Sequence, residues 1–540
     1  ILHQRVEVGI LSLLFVPPLG GGMEIKMQKG RVKNVSRNMI FGGILKVYQI
    51  ITPFIIRTIM IYSLGVEYVG LNSLFASVLQ VLNLAELGVG SAMVFSMYEP
   101  IAQNDHITIC ALMKLYKIYY RIIGLIILGA GIIVLPFIPH LISGEVPGGL
   151  NVYTLYILNL LATVFSYWLF AYKSCLLTAF QRNDIISKSL LVVSTIQYTA
   201  QIVVLVVWKN YYLFLLLALS AVLLNNVLTA FMANRLYPDL QPKGKLDTEV
   251  VKNINQKVKD LFTAKVGGVV VNSADTIVIS AFLGLTALAV YQNYYYILSA
   301  VMGINQVIYK ACLASIGNSM VLESKEKNYC DFKMISMLFM WLIGFCTICF
   351  ACLFQPFMEI WVGKDLMLSY LMVILFCIYF YLCEIMSLFS LYKDAAGIWH
   401  QDRFRPLIEA GANLVVNLIL VKPMGLYGIL ISTIISMGCI SIPWLYRNLF
   451  KYVFDRSASE YTKILLGGTA IMIFVTIGVA LLTRLIPLSG NIGLFVRLLT
   501  CIIVSNTLYY LLFNKFETFA KVLLLINRIT GKRIFKVSIQ

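Results

Sequence analysis

Apolar residues fall along this chain in long unbroken runs, not in the alternation of a half-buried strand or the narrow stripe of a surface helix. Runs long enough to cross a hydrocarbon layer of roughly 30 Å lie near 38–64, 69–95, 113–141, 150–177, 188–208, 211–235, 263–284, 287–314, 333–358, 368–394, 404–422, 425–448, 461–483 and 492–513. Each predicts a transmembrane helix, about fourteen in all. Strands of an outer-membrane barrel would instead show segments of roughly ten residues alternating in polarity. The predicted fold class is therefore all-α and polytopic: two pseudo-symmetric six-helix lobes followed by two C-terminal helices.

Composition agrees and narrows the function. Of 540 residues, 60% are hydrophobic and 13% charged, against roughly 25% charged in soluble domains. The connecting loops are too short for a large ectodomain, a tethered soluble enzyme or a built-in nucleotide domain, and no Walker A sequence occurs. Transporter, channel and intramembrane enzyme remain. The chain opens on Ile1, and residues 1–22 end in Leu19-Gly20-Gly21-Gly22 before Met23. The expectation is that translation begins at Met23 or Met27 and that 1–22 is upstream sequence read in frame. The alternative, a signal peptide, has a very short apolar core at 8–16 and a basic segment where cleavage would fall. Intact mass of the native protein distinguishes the two.

The net charge of +18 is distributed with a clear sidedness. Lys26, Lys29, Arg31, Lys33 and Arg37 precede the first run; Lys243, Lys245, Lys252, Lys257 and Lys259 follow the sixth; further basic residues cluster around Lys325, around Lys451 and after Lys515. The opposite side holds Lys209, Lys364, Lys422 and Arg484. The positive-inside rule places both termini in the cytoplasm. Basic loops beside an anionic leaflet gain about 1 kcal/mol per residue, so the expected charged partner is anionic phospholipid at the cytoplasmic loops and not nucleic acid. Cys346, Cys349 and Cys352 have a ligand-like spacing, but they sit inside an apolar run without a fourth ligand, and the four histidines are scattered. No metal or cofactor is expected.

An internal repeat divides the chain. Lys46…Leu64-Gly65…Gly70 recurs as Lys265…Leu283-Gly284…Ala289, 219 residues later, and Tyr172-Lys173…Gln181 recurs as Tyr392-Lys393…Gln401. Six spans per repeat make the halves parallel, a design that holds substrate between them near the midplane. The expected organisation is a cytoplasmic segment 1–37, an N-lobe 38–235, a basic linker 236–262, a C-lobe 263–448, two further spans in 461–513 and a basic tail 514–540.

Ionisable residues inside spans cost about 2.5–3.5 kcal/mol each on insertion scales and usually face protein or water. Lys46 and Arg57 are eleven residues apart, which returns them to one helix face, with Gln49 and the helix-bending Pro53 on or near it. The second span carries Gln80, Asn83 and Glu86; the seventh carries Asn272 and Asp275. Guanidinium and ammonium groups in a hydrated cavity suit a phosphate-bearing substrate. Arg57, Lys46, Gln49, Gln80, Asn83 and Asn272 are therefore expected to bind substrate, and Asp275 and Glu86 to serve ion coupling or gating. The repeat sets Asp275 beside Arg57, so the two are expected to pair in one conformational state, with a double substitution rescuing more function than either single one. Structural readings compete at each position: Lys46 as an interfacial anchor, Arg57 in a structural ion pair, the amides as packing glue. Tyr291, Tyr294, Tyr295 and Tyr296 suit sugar faces and equally an interfacial belt. Arg497, in the last run, reads as structural.

Several segments carry a resemblance: Tyr62-Ser-Leu-Gly-Val-Glu-Tyr-Val-Gly-Leu71, Leu84-Ala-Glu-Leu-Gly-Val-Gly-Ser-Ala92, Val271-Asn-Ser-Ala-Asp275, Ala314-Ser-Ile-Gly-Asn318 and Gln401-Asp-Arg-Phe-Arg-Pro-Leu-Ile-Glu409. Over roughly 30–515 the chain resembles the bacterial polysaccharide flippases, Wzx-type transporters of the superfamily that also holds multidrug and toxin extruders and peptidoglycan-precursor flippases. The resemblance implies a bacterial cytoplasmic-membrane protein that carries undecaprenyl-pyrophosphate-linked oligosaccharide from the inner to the outer leaflet. It further implies alternating access through a cationic central cavity and a place beside other polysaccharide assembly proteins. A multidrug or lipid-II-type exporter of the same fold is the alternative. A glycan polymerase or acyltransferase is a more distant one, since it would place catalytic residues in a sizeable loop and the outer loops here are short. No covalent catalysis is expected.

Overall fold

The computed structural model describes residues 22–144, 146–514 and 516–530; of the proposed upstream segment 1–22, all but residue 22 lies outside it. Among the described residues the chain is 88% helical and has no strand. It forms two compact units that meet in sequence at Val269 and Val270.

The first unit holds α1 (Gly22–Ser63), α2 (Val66–Leu82), α3 (Val89–Ala102), α4 (His106–Val134), α5 (Val152–Trp168), α6 (Tyr172–Ala179), α7 (Asn183–Val203) and α8 (Tyr211–Leu236). Helix α9 (Thr248–Leu322) starts in this unit and continues in the second. The second unit then runs through α10 (Lys325–Val362), α11 (Tyr370–Ala395), α12 (Trp399–Asp402), α13 (Arg405–Met424), α14 (Leu426–Ser436), α15 (Ile442–Asn448), α16 (Ser459–Arg484), α17 (Gly490–Phe513) and α18 (Glu517–Thr530). Side-chain oxygens cap several N-termini: Asp105 accepts from the Thr108 amide at 3.0 Å, Asn151 from Thr154 at 3.1 Å and Ser369 from Met372 at 3.2 Å. The same Thr108 contacts hold the Asp105 carboxyl below its usual range.

Twelve of the described helices or helix runs are long and apolar enough to cross a membrane, and the pair α5 and α6, bent by 51°, is a further candidate as one broken span or a re-entrant loop. One of the twelve, Val266–Leu322, is 57 residues long, roughly 85 Å at 1.5 Å per residue, which is too long for one crossing. It breaks at Gly284, with φ 89 and ψ 176. The described residues thus hold twelve to thirteen candidate spans, one of them long enough for two passes, against the fourteen that the apolar runs predict, and the protein is a multi-pass membrane protein.

Gly284 occupies backbone space open essentially to glycine alone. So does Gly65, with φ 127 and ψ 162, at the turn from α1 into α2, 219 residues earlier. A second pair at the same interval, Gly144 (φ 86) and Gly363 (φ 81), also has positive φ. The sequence repeat is thus matched by a repeat of turn geometry, including a pair that the sequence matches did not include. Gly284→Ala is expected to destabilise the protein by about 1–3 kcal/mol, read as a lowered thermal midpoint in detergent; an unchanged midpoint would mean the break relaxes without strain.

Lipid tails are as apolar as leucine, so packing and interhelical hydrogen bonds hold such helices together. In the first unit Asn226 donates to the Ser166 carbonyl at 3.0 Å, and in the second Tyr461 donates to Ser336 Oγ at 3.0 Å. The motif 401–409 is an ion network. Arg405 grips Asp402 with two nitrogens, at 2.7 and 3.1 Å, and reaches Glu409 and Ser441 at 3.1 Å each. Arg497 donates to the carbonyls of Thr483 and Ile486 at 3.3 and 3.1 Å, satisfying groups that the end of α16 leaves open. Cys352 and Cys501 are buried in an apolar core shared by α10, α16 and α17, onto which α18 sets Phe519, Val522 and Leu523. Part of the basic tail is therefore a docked helix.

Candidate functional site

Helix α1 runs unbroken through Pro53, so the eleven-residue spacing of Lys46 and Arg57 keeps both on one face. Ile56 and Met60 are buried, whereas Lys46 and Gln49 are exposed and Arg57 is half-buried. At 100° per residue Met60 and Ile56 stand about 60° and 100° from Arg57, whereas Ile40, Ile44, Val47, Ile51 and Ile55 are exposed on the far side. The Lys46–Arg57 face therefore borders the packed side of α1, and the apolar stripe faces away from it.

The second-span candidates separate. Gln80 is exposed. Asn83 and Glu86 fall in a 3-10 turn, Asn83–Glu86, that follows α2. Asn83 accepts from the Tyr167 hydroxyl and Glu86 from the Tyr120 hydroxyl, both at 3.3 Å. Tyr116 in turn donates to Tyr120, so Glu86 ends a chain of tyrosine hydroxyls drawn from α4. Two residues on, Gly88 allows a close approach: a Cβ there would stand 2.7 Å from the Leu261 Cβ and 3.0 Å from the Val258 carbonyl. The glycine-rich stretch 84–92 is where the first turns of α9 press on this unit.

In the second unit Asp275 sits in a shell of neutral polar groups. Asn417 Nδ2 donates to one carboxylate oxygen at 2.6 Å and Thr433 Oγ1 to the other at 3.0 Å. Asn413 closes the ring, accepting from Asn417 at 3.2 Å and donating to Thr433 at 3.0 Å, and Ser432 donates to Asn417 Oδ1. Asn413, Asn417, Ser432 and Thr433 are all buried. Among the described residues of this unit, Asp275 forms no ion pair with lysine or arginine. One carboxylate among amide and hydroxyl oxygens suits a hard cation or a proton. Turning the Asn417 amide by half a turn exchanges its nitrogen for its oxygen, which converts a shell of donors into one that offers oxygen ligands. The Asn272 side chain lies outside the described residues.

The sequence reading missed this shell, and with it Glu384, a buried acid that accepts from Tyr309 at 2.9 Å. Two signals were available: an acid inside the apolar run 368–394, and asparagines at i and i+4 in 404–422, which must share a helix face. Arg57 belongs to the first unit and Asp275 to the second.

Among solved structures the chain is similar to an inward-facing multidrug resistance MATE family transporter of the MOP superfamily, with a TM-score of 0.58 and 15% identity over 75% of this chain and 98% of that one. It is similar to the lipid II flippase MurJ in an inward closed conformation, with a TM-score of 0.59 and 14% identity over 88% and 99%. A point mutant of the Vibrio cholerae MATE transporter VcmN gives 0.50 and 13% over 78% and 99%. Neither family models nor curated protein sequences give a match. At these identities the likeness is one of fold: the chain is built as these transporters and flippases are built.

Proposed function

We propose that the protein is a flippase that carries undecaprenyl-pyrophosphate-linked oligosaccharide from the inner to the outer leaflet by alternating access, without covalent chemistry. The observation that carries this reading is the cationic face of α1, with Lys46 exposed and Arg57 half-buried at membrane depth. The guanidinium of Arg57 would take two phosphate oxygens in its planar fork, and Lys46 would add a point charge, while the polyprenyl tail stays in lipid. Gln49, Gln80, Asn83 and Asn272 would serve the glycan and phosphate with neutral hydrogen bonds. Asp275 and its shell would couple the cycle to an ion, and Glu86 with its tyrosines would gate it. The distribution of lysine and arginine supports a cytoplasmic-membrane protein with both termini inside, working beside other polysaccharide assembly proteins.

The lipid II flippase and the first MATE transporter match this fold about equally, with TM-scores of 0.59 and 0.58, so the fold supports a flippase and an exporter alike. A multidrug exporter is the second reading, favoured by Asp275 and Glu384, acids that would hold an organic cation. Proteoliposomes carrying a fluorescent diphosphate-linked oligosaccharide lipid test both. The expected result is protein-dependent appearance of label in the opposite leaflet. Movement of a cationic dye without movement of the glycolipid would favour the exporter.

A further inference from the structure

At one end of the first unit a groove of about 440 Å³ opens between α7 and α8. Its polar wall is built around Asp184, which is fully buried and ion-paired with Arg37 at 2.8 Å, Arg182 at 3.1 Å and Lys188 at 3.5 Å. The neighbourhood is fixed from α1 as well: Asn38 donates to the Gln181 carbonyl at 2.9 Å and accepts from the Asp184 amide at 2.8 Å. The Lys188 ammonium lies over the Phe41 ring, 4.3 Å from its centroid. Arg235, at the last turn of α8, completes the wall. Arg182, Lys188 and Arg235 thus face a single carboxylate, the one acid among the lining residues, and positive charge is left over.

The other wall is apolar. Val192, Met232 and Leu236 line it and are 55%, 37% and 41% exposed, on spans whose outward faces meet lipid. A basic pocket at the end of two membrane helices, continued by an apolar wall along them, has the chemistry of an anionic headgroup joined to an acyl chain. We propose that the groove holds the phosphate of an anionic phospholipid, with a chain lying along Val192 and Met232. A free phosphate would use the cations and leave the apolar wall bare. The site shares no residue with the cationic face of α1, so the proposal goes beyond the flippase reading and does not rest on it.

Native mass spectrometry of the detergent-solubilised protein with phosphatidylglycerol or phosphatidylcholine at equal mole ratio tests it. Wild-type protein is expected to retain phosphatidylglycerol about tenfold more than phosphatidylcholine. The variant Lys188→Gln/Arg235→Gln, which leaves Asp184 paired with Arg37 and Arg182, should lose that preference while keeping its elution volume and thermal midpoint. Lys451→Gln, which changes a cation on a different element, should keep it. Equal retention of the two lipids by wild type, a preference that survives the double substitution, or an equal loss in Lys451→Gln would each overturn the proposal. So would displacement of the lipid by millimolar inorganic phosphate, which would mark a bare anion site. A variant that fails to fold is replaced by Arg235→Gln alone, expected to lose part of the preference. No cargo enters the experiment, so its failure leaves the transport reading standing.

Discussion

Arg57→Ala is expected to slow flipping of a diphosphate-linked oligosaccharide lipid by about 10- to 150-fold, the worth of one hydrogen-bonded contact to a charged group, about 1.5–3 kcal/mol. The effect should be specific to cargo with a phosphate. Arg57→Lys keeps the charge but replaces a planar fork of donors by a point charge, so it should recover only part of the rate. Lys46→Ala should cost less, because an exposed lysine is already satisfied by water and headgroups. The measurement is the initial rate in proteoliposomes, with surface polysaccharide at matched protein level as the cellular counterpart. Wild-type rates in the alanine variant would remove Arg57 from the binding site and leave it a structural role in the first unit.

Asp275→Asn should abolish stimulation by an imposed ion gradient while leaving exchange without a gradient measurable. The substitution keeps the volume of the side chain and removes its charge. It also removes one of two acceptors that now meet Asn417 at 2.6 Å and Thr433 at 3.0 Å, which costs about 1–3 kcal/mol if a donor is left without a partner. Protein yield and thermal midpoint in detergent must therefore be followed beside transport. A loss of at least about tenfold in gradient-driven rate, the effect of removing about 1.4 kcal/mol of coupling, is expected with the fold retained. Asn417→Asp, which adds an acid to the same shell, should alter which ion stimulates. Retained stimulation in Asp275→Asn would assign the carboxylate to packing.

Much of the architecture was legible in the sequence because the bilayer leaves few choices. Backbone polar groups in hydrocarbon must be satisfied within the segment, so the long apolar runs are helical, although 69–95 and 150–177 are each broken into two helices. The break at Gly284 was also visible, since Leu283-Gly284 repeats Leu64-Gly65 and both glycines take the same backbone conformation. The Gly144 and Gly363 pair escaped notice because its flanking residues differ and only φ is shared. The asparagine pair of the shell was visible, but its pairing with Asp275 was not: Asn417 is 142 residues from Asp275 and Thr433 is 158 away. Nothing in linear order says which of several polar faces will meet. Arg405 shows the converse, a motif conspicuous in sequence whose partners, Asp402 and Glu409, are local and structural.

Hydropathy alone would end this protein at Phe513, where the last apolar run stops. Yet Phe519, Val522 and Leu523 cover Tyr509, Phe513 and Cys501. A gene shortened at that codon would therefore strip the cover from the last two crossings and invite aggregation during purification. An affinity handle or fluorophore belongs beyond Thr530, where it rides on a seated helix and reports the position of its own half of the molecule.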